Sequence, residues 1–307
     1  MAIGQEGDLD MQIIKTCPTT GLAFTSTRGG EWAPQMGEAN YHADKRALSS
    51  SGVRKAVKSA ATFRDYWTGK IKDEETDAML FGRLAHISIL EPTRFMEGYK
   101  VMPDFGDMRS SANRAKRDAW TADQKPGTIV VTEEECTNLT GMLKAITEHE
   151  DARMCLTNGT AELAGYYRDD ETGLLCRFKP DFFSFDGRRL ADIKTTKDCD
   201  AWFFGKDTLN RLYHVQLAMY CEGLKALTGV EVKFPTLIAV EKKPPYEVAV
   251  YVLDDAAMEL GRALYRRALR RIKLAIDSGV WAKYQTRAQN LALPAYAFYD
   301  DGLAVDA

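Results

Sequence analysis

Residues 178–196, Phe-Lys-Pro-Asp-Phe-Phe-Ser-Phe-Asp-Gly-Arg-Arg-Leu-Ala-Asp-Ile-Lys-Thr-Thr, predict two short strands joined by a turn. The dipeptide Asp186-Gly187 favours a hairpin turn, because glycine tolerates the positive φ that such turns need. The aromatic and β-branched residues on both sides of it favour an extended chain. We therefore expect the two ends of this stretch to lie side by side in a sheet.

The charged residues of this hairpin have the spacing of a metal site. Asp192 and Lys194 are two residues apart, so both leave one face of the second strand, while Ala191 and Ile193 point into a core. Folding the hairpin should bring Asp181, at the end of the preceding strand, close to Asp192. Two adjacent carboxylates repel unless a cation lies between them, and oxygen ligands suit Mg²⁺ or Mn²⁺. Lys194 would stand beside that metal, within reach of a water or a phosphate oxygen.

The order Pro180-Asp181, spacer, Asp192-x-Lys194 resembles the PD-(D/E)XK nuclease superfamily. The resemblance implies an α/β fold, a PD-(D/E)XK nuclease core in which a central mixed β-sheet is flanked by helices. We place this single domain at residues 39–290, between a loosely ordered N-terminal segment, 1–38, and a C-terminal tail, 291–307. Taken alone, Asp-Ile-Lys is equally consistent with a solvated strand face. Motifs elsewhere in the chain are therefore needed to distinguish a metal site from such a face.

An upstream helix carries a second motif. Apolar residues at three- and four-residue steps predict a helix from Asp77 to Leu90, and Pro92 stops it. Gly82 and His86 share one face of that helix. A lone helical histidine is more often a core or surface residue than a ligand. Its context, however, resembles the Gly-x-x-x-His motif of RecB-like and RecE-like nucleases, in which the histidine reaches the metal.

A downstream helix carries a third motif. We predict this helix at about Leu209 to Leu227, with Gln216 and Tyr220 on one face. An amide and a phenol that point together can orient a water or a phosphate, although ordinary packing residues would look the same. The pair resembles the Gln-x-x-x-Tyr motif that follows Asp-x-Lys in the RecB family.

In combination, these motifs resemble RecE-like exonucleases of the exonuclease VIII type and, more distantly, lambda-type exonuclease and RecB nuclease domains. The resemblance implies a Mg²⁺-dependent 5′-to-3′ exonuclease on linear double-stranded DNA, with Mn²⁺ able to substitute. It also implies a 3′ single strand left for a RecT-type annealing protein, and a ring-shaped homo-oligomer, expected to be a tetramer.

The same resemblance assigns roles to individual residues. The implied metal ligands are His86, Asp181, Asp192 and the backbone carbonyl of Ile193. Lys194 would orient or deprotonate the attacking water, or stabilise the charged phosphate. As a general base, it would need a lowered pKa. Gln216 and Tyr220 would position the nucleophile or the terminal nucleotide.

Three further features have two interpretations each. Glu162, at the start of a predicted strand, is either at the rim of the metal site or a plain surface carboxylate. The basic stretch 102–128 either contacts DNA phosphates, as the Arg/Lys-rich region of RecE-like proteins suggests, or is a solvated loop that leads into a helix. Its basic residues are Arg109, Arg114, Lys116 and Arg117. A predicted C-terminal helix carries arginines that either face solvent or contact DNA or another subunit, namely Arg262, Arg266 and Arg270, with Arg267 and Arg271 beside them.

The composition sets the broad class. With 45% apolar and 28% charged residues, the 307-residue chain is typical of a soluble globular protein with a sizeable core. It has no apolar run of about 18 residues and no secretory signal pattern, so we expect a cytoplasmic protein without membrane contact. The six cysteines form no Cys-x-x-Cys, which argues against a zinc or iron–sulfur site. The net charge of −3 neither supports nor excludes a nuclease, because a local positive channel is sufficient to bind DNA.

Two alternatives to an exonuclease remain. One is an endonuclease or a helicase-associated RecB-like nuclease with the same core. The sequence has no Walker-type Gly-x-x-x-x-Gly-Lys-Ser/Thr, so any motor would be a separate chain. The other is a non-catalytic DNA-binding protein with the same fold, against which the set Asp181, Asp192 and Lys194 argues.

Overall fold

The computed structural model describes residues 13–14, 24–25, 30–33, 38–71, 76–125, 128–285 and 287–293. The helices in these ranges are α1 (Glu38–Ala43), α2 (Ser50–Lys58), α3 (Ala60–Trp67), α4 (Asp77–Leu90), α5 (Pro92–Gly98), α6 (Ser111–Ala122), α7 (Glu133–Glu148), α8 (Glu150–Cys155), α9 (Ala201–Asn210), α10 (Tyr213–Thr228) and α11 (Asp255–Ser278). The strands are β1 (Ile13–Ile14), β2 (Phe24–Thr25), β3 (Glu31–Ala33), β4 (Tyr99–Val101), β5 (Ile129–Val131), β6 (Gly159–Ala161), β7 (Ala164–Arg168), β8 (Leu175–Phe178), β9 (Phe182–Ser184), β10 (Arg189–Thr196), β11 (Phe234–Glu241) and β12 (Val248–Val252).

A five-stranded mixed sheet in the order β12-β11-β10-β9-β6 forms the centre. Strand β10 pairs in parallel with β11 along its whole length and antiparallel with β9. Strand β12 continues the sheet antiparallel to β11, and a second sheet has the order β3-β7-β8. The predicted α/β architecture, a central mixed sheet flanked by helices, is confirmed.

Helices cover both faces of the central sheet. Along β10, Leu190 belongs to a core shared with α10 and α11, whereas Ala191 and Ile193 belong to a second core with α4 and α7. This alternation is the period of two that a strand imposes on its side chains. Asp192 is on the first of these faces and is only 1% exposed. The solvated strand face that the sequence left open is therefore excluded.

Local signals fixed several element boundaries as predicted. Helix α4 spans Asp77–Leu90, and the side chain of Thr76 caps it by accepting from the N–H of Met79. Helix α7 begins with a complete capping box between Thr132 and Glu135. The Asp186-Gly187 turn is present, with Gly187 at a φ of 69°.

Two predicted elements differ from the structure. The two strands predicted for residues 178–196 are present as β9 and β10, but the first begins only at Phe182. Pro180, which has no N–H, and Asp181 separate it from β8, so Asp181 lies in the loop before β9 and does not end a strand. The helix predicted from about Leu209 is also wrong at its start. Leu212 adopts a left-handed conformation with a φ of 59°, so α9 ends before it and α10 begins after it.

The arginines of α11 bind mainly to the rest of the fold. Arg266 pairs with the buried Asp169 and with Glu222, and Arg270 pairs with Glu171. Arg271 donates to the backbone carbonyls of Ala56 and Val57 in α2. Arg266 and Arg271 therefore join α11 to neighbouring elements. The two interpretations of a solvated face and of a DNA contact do not apply to them. Arg262 and Arg267 are exposed.

Parts of the predicted terminal segments can be placed. Strand β3 pairs with β7, and its Trp32 stacks on Phe183 at a centroid distance of 5.4 Å. Most of segment 1–38 and of tail 291–307 lies outside the described residues, so the domain boundaries remain predictions. Within the described ranges, no helix has the combined length and apolarity needed to cross a membrane.

Candidate active site

Strand β10 presents Asp192 and Lys194 on one face at the centre of the sheet, as their spacing predicts. The Nζ of Lys194 contacts Oδ2 of Asp192, with only 13% of the lysine side chain exposed. The same ammonium group lies 4.9 Å from the centre of the Tyr213 ring, which favours a cation over its face. The lysine is therefore held by a carboxylate and an aromatic ring in a nearly closed environment.

Asp181 is fixed to the same strand by a backbone contact. Its Oδ2 accepts a hydrogen bond of 2.6 Å from the N–H of Ile193, the residue directly after Asp192. The loop before β9 thus holds the Asp181 carboxylate against the residue that follows Asp192, close enough for its charge to raise the pKa of Asp192. The Ile193 N–H makes this contact, and a role of the Ile193 carbonyl as a metal ligand stays a prediction.

His86 reaches the site from α4. Its Nδ1 lies 3.3 Å from Oδ1 of Asp181. One turn earlier, a Cβ atom at Gly82 would lie 3.6 Å from Oγ1 of Thr195, which is ordinary contact. A small residue at position 82 therefore lets α4 lie close to β10 and brings His86 to the carboxylates.

Glu162 joins this group from the end of β6. Ligand atoms of His86, Glu162 and Asp181 all lie within 4.8 Å of one another. Glu162 has a φ of 55°, which is uncommon for a residue with a side chain, and its N–H donates to the carbonyl of Asp181 at 3.1 Å. It also pairs with Lys179, a residue that the sequence analysis did not single out. Its contacts with Asp181 and Lys179 exclude a plain surface carboxylate.

The pKa values reflect negative charge concentrated in a buried space. Burial and the neighbouring Asp181 raise the pKa of Glu162 to about 7. Burial and Asp181 also raise the pKa of Asp192. Burial alone would lower the pKa of His86, but Asp181 outweighs it and raises that pKa. Burial and mutual repulsion thus keep two of the three carboxyl groups from ionising readily, and a bound cation would relieve that repulsion.

Lys194 is held as a cation. Burial lowers its pKa, but Asp192 and Asp181 outweigh burial and raise the pKa well above the ordinary value. Burial of Asp181 likewise raises its pKa, while His86 and Lys194 outweigh that effect and lower it. Asp181 is therefore the carboxylate of the group that stays ionised most readily.

Helix α10 supports Asp192 from the opposite side. The amide of Gln216 donates to Oδ1 of Asp192 at 3.3 Å and to the hydroxyl of Tyr220 at 2.9 Å. The Tyr220 hydroxyl in turn lies 3.5 Å from Oγ of Ser50, in the first turn of α2. Burial, followed by the charge of Asp192, raises the pKa of Tyr220 to about 12, so it acts as a neutral hydrogen-bonding group. Gln216 and Tyr220 therefore position the carboxylate of Asp192, and this role does not require contact with a substrate.

Two further residues at the site carry no role in the sequence analysis. Tyr213 precedes Gln216 by three residues and shares its helix face, a spacing that could have identified it. Ser50 meets Tyr220 only because α2 and α10 pack together, and no local signal reveals that contact.

The donor set fits a divalent cation. Carboxylate oxygens with one imidazole nitrogen suit Mn²⁺ and are acceptable for Mg²⁺. Asp192 is close enough to this group for the charge of Asp181 to raise its pKa, and Lys194 and Gln216 engage its two oxygens. Its buried Oδ2 accepts no hydrogen bond within the described residues besides this ion pair with Lys194.

The predicted DNA-binding residues lie on and just before α6. Arg109, Arg114 and Lys116 are exposed, and Arg117 is half-buried beside Asp118, with which it pairs. Arg114 donates to the carbonyls of Met108 and Arg109. The described contacts of these residues are thus local, and their binding to DNA stays a prediction.

Comparison with known proteins gives a family and a fold. A family model described as a PDDEXK-like domain of unknown function (DUF3799) matches residues 49–292. A crystal structure from Eubacterium rectale, described as a "putative exonuclease", has a TM-score of 0.55 and 15% sequence identity, and the match covers 88% of this chain and 100% of that chain. This likeness shows the fold alone. No curated protein matches the chain significantly. Because the family model covers well over half of the sequence, the chain belongs to the PDDEXK-like family and has its mixed α/β fold.

Proposed function

We propose that this protein is a metal-dependent nuclease that hydrolyses phosphodiester bonds of linear double-stranded DNA as a 5′-to-3′ exonuclease. The observation that carries the proposal is the convergence of His86, Glu162 and Asp181 within 4.8 Å, next to the Asp192–Lys194 pair. The PDDEXK-like family and the fold shared with the Eubacterium rectale protein support it.

Mg²⁺ is the proposed cofactor, with Mn²⁺ able to substitute. His86, Glu162 and Asp181 would hold it, with Asp192 as the adjacent carboxylate. When bound, such a cation lowers the pKa of a water and offsets the charge that develops on the phosphate. Glu162 thereby changes from a proposed rim residue to a proposed ligand.

Lys194 acts, in this proposal, as a fixed positive charge. Its raised pKa favours orientation of the water and stabilisation of the phosphate over removal of a proton. Gln216 holds Oδ1 of Asp192, which keeps that carboxylate directed at the site. Tyr220 and Ser50 hold Gln216 in turn, so this chain of contacts positions Asp192.

The finer features of the proposal rest on the resemblance to RecE-like exonucleases. They are the 5′-to-3′ direction, the 3′ single strand passed to a RecT-type annealing protein, and a ring-shaped homo-oligomer, proposed as a tetramer. Arg109, Arg114, Lys116 and Arg117 are the proposed contacts to DNA phosphates.

End-labelled DNA tests the proposal. Linear duplexes labelled at the 5′ or the 3′ end are incubated with the full chain, with and without Mg²⁺, beside a covalently closed circle. The expected result is Mg²⁺-dependent degradation from the 5′ end, with the circle intact. Cutting of the circle would replace the exonuclease with an endonuclease. No cleavage with Mg²⁺ or Mn²⁺ would favour a non-catalytic DNA-binding protein.

A further inference from the structure

A second lysine, Lys179, lies at the candidate site, in the link between β8 and β9 and two residues before Asp181. Its ammonium group pairs with Oε2 of Glu162, which belongs to the group of candidate metal ligands. Lys194, in contrast, pairs with Asp192, which lies outside that group. A metal ion bound by the ligand group would therefore compete with Lys179 for a carboxylate, and much less with Lys194.

The Lys179–Glu162 pair is partly open to solvent. The side chain of Lys179 is 16% exposed and that of Glu162 is 22% exposed. The Lys179 ammonium lies 5.9 Å from the centre of the Tyr41 ring, and Cζ of Arg177 lies 4.6 Å from the centre of the same ring. Arg177, however, is only 2% exposed and donates to the backbone carbonyl of Asp44. Of these two basic side chains, Lys179 is the one that can meet a ligand entering from solvent.

Binding of a divalent cation to Glu162 would change the charge balance around Lys179. The single negative charge of Glu162 cannot neutralise both the cation and the ammonium group. Positive charges a few ångströms apart repel strongly where water is largely excluded. The lysine ammonium is carried on a flexible four-carbon stem, so it can turn toward another anion. The anion that DNA brings to this place is a phosphate.

We propose that Lys179 is a second phosphate-binding lysine of the site, which exchanges its pair with Glu162 for a phosphate oxygen of DNA when Mg²⁺ or Mn²⁺ binds to Glu162. This inference rests on the proposed nuclease function. Lys194 keeps its contacts with Asp192 and Tyr213 during this exchange. Metal and DNA then favour each other's binding, because the metal releases the lysine and the phosphate holds it away from Glu162.

The first test is the affinity for Mn²⁺ without DNA, measured by titration calorimetry on the full chain. Lys179→Met removes the competing charge, so we expect about three- to tenfold tighter binding of Mn²⁺. Lys179→Arg keeps the charge and should stay close to the wild type. Lys144→Met is a matched control, because Lys144 pairs with Glu148 at 3.8 Å on the exposed face of α7, and it should leave the affinity unchanged. Unchanged or weaker Mn²⁺ binding by Lys179→Met would overturn the proposal.

The second test is the salt dependence of duplex DNA binding. It is measured on Lys194→Ala, which lacks the proposed catalytic lysine and should leave the DNA intact, and on the double variant with Lys179→Met. In Mn²⁺, loss of one phosphate contact should reduce the slope of log affinity against log salt concentration by about one. In EDTA, the two proteins should have the same slope. An unchanged slope in Mn²⁺, or an equal reduction in EDTA, would overturn the metal-dependent contact.

A further variant keeps both tests decisive if the methionine variant fails to fold. Lys179→Gln has no charge, but its amide can still donate to Glu162, and the same results are expected of it. The outcomes also separate this inference from the proposed function. Wild-type protein that neither binds Mn²⁺ nor cleaves DNA would overturn both. Wild-type protein that does both, with unchanged Mn²⁺ affinity in the uncharged Lys179 variants, would overturn the exchange alone.

Discussion

Replacing Glu162 by glutamine tests the electrostatics of the candidate site. In the folded protein, burial and the adjacent Asp181 raise the pKa of Glu162 from 4.5 to about 7. The folded state therefore binds this proton more tightly than the unfolded chain does. Glutamine has a similar shape and does not titrate, so Glu162→Gln removes the effect without removing the side chain.

The sign and the size of the effect follow from linkage. Below pH 4.5, Glu162 is protonated in both states and costs no stability. Between pH 4.5 and about 7, the unfolded chain releases the proton while the folded protein keeps it, so the wild type loses stability as pH rises. At about 1.4 kcal/mol for each pKa unit, the loss between these two values approaches about 3 kcal/mol and persists above pH 7.

Urea denaturation in EDTA, from pH 4.5 to 8, measures this effect on both proteins. Relative to the wild type, Glu162→Gln should gain up to about 3 kcal/mol in free energy of unfolding across this range. Any constant penalty for leaving Lys179 without its partner cancels in the comparison. Glu171→Gln is a suitable control, because a hydrogen bond from Arg270 lowers the pKa of Glu171, so its contribution changes only below pH 4.5 and its stability curve should run parallel to that of the wild type across this range. Parallel stability curves for the wild type and Glu162→Gln would show that folding does not raise the pKa of Glu162.

Three substitutions test other contacts. Lys194→Ala should abolish DNA cleavage while Mn²⁺ binding, measured by titration calorimetry, persists, because the lysine lies outside the ligand group; full cleavage would remove its catalytic role. Asp192→Asn should weaken both Mg²⁺ affinity and cleavage, because it removes a negative charge beside the ligand group, and an unchanged Mg²⁺ dependence of cleavage would count against a contribution of Asp192 to the metal site. Arg266→Met should lower the free energy of unfolding in urea by about 3–5 kcal/mol, because the buried Asp169 loses its charged partner and keeps only the hydrogen bonds from Thr172. A loss below about 1 kcal/mol would show that this pair is not important for stability.

The sequence predicts features that depend on neighbouring residues. The Asp186-Gly187 turn and the capping box of Thr132 and Glu135 are both present, since each is decided within a few residues of chain. The shared face of Asp192 and Lys194 follows from strand geometry alone. These local rules predict the turn, the helix start and the shared strand face, whereas the mixed sheet and the membership of His86, Gln216 and Tyr220 in the site were expected from the resemblance to known nucleases.

Contacts between distant elements lie beyond such rules. Glu162 joins His86 and Asp181 because β6 and α4 meet at the loop before β9, and no spacing in the sequence specifies that meeting. Leu212 adopts the left-handed conformation that separates α9 from α10. Leucine is not a residue typical of turns, so the sequence does not indicate this break. The α11 arginines were ambiguous for the same reason, since the partners of Arg266 belong to other elements.

The proposed metal-dependent nuclease activity is measured as cleavage of linear duplex DNA by the wild type and by Asp181→Asn at a series of Mn²⁺ concentrations. Asp181 touches His86 and β10 and lies in the ligand group, so its carboxylate is the feature on which the account depends. We expect Mn²⁺-dependent cleavage by the wild type and at least a hundredfold slower cleavage by Asp181→Asn, on the order of the loss seen when an essential electrostatic contact is removed. Equal cleavage by the two proteins, or cleavage by the wild type that persists in EDTA, would contradict it.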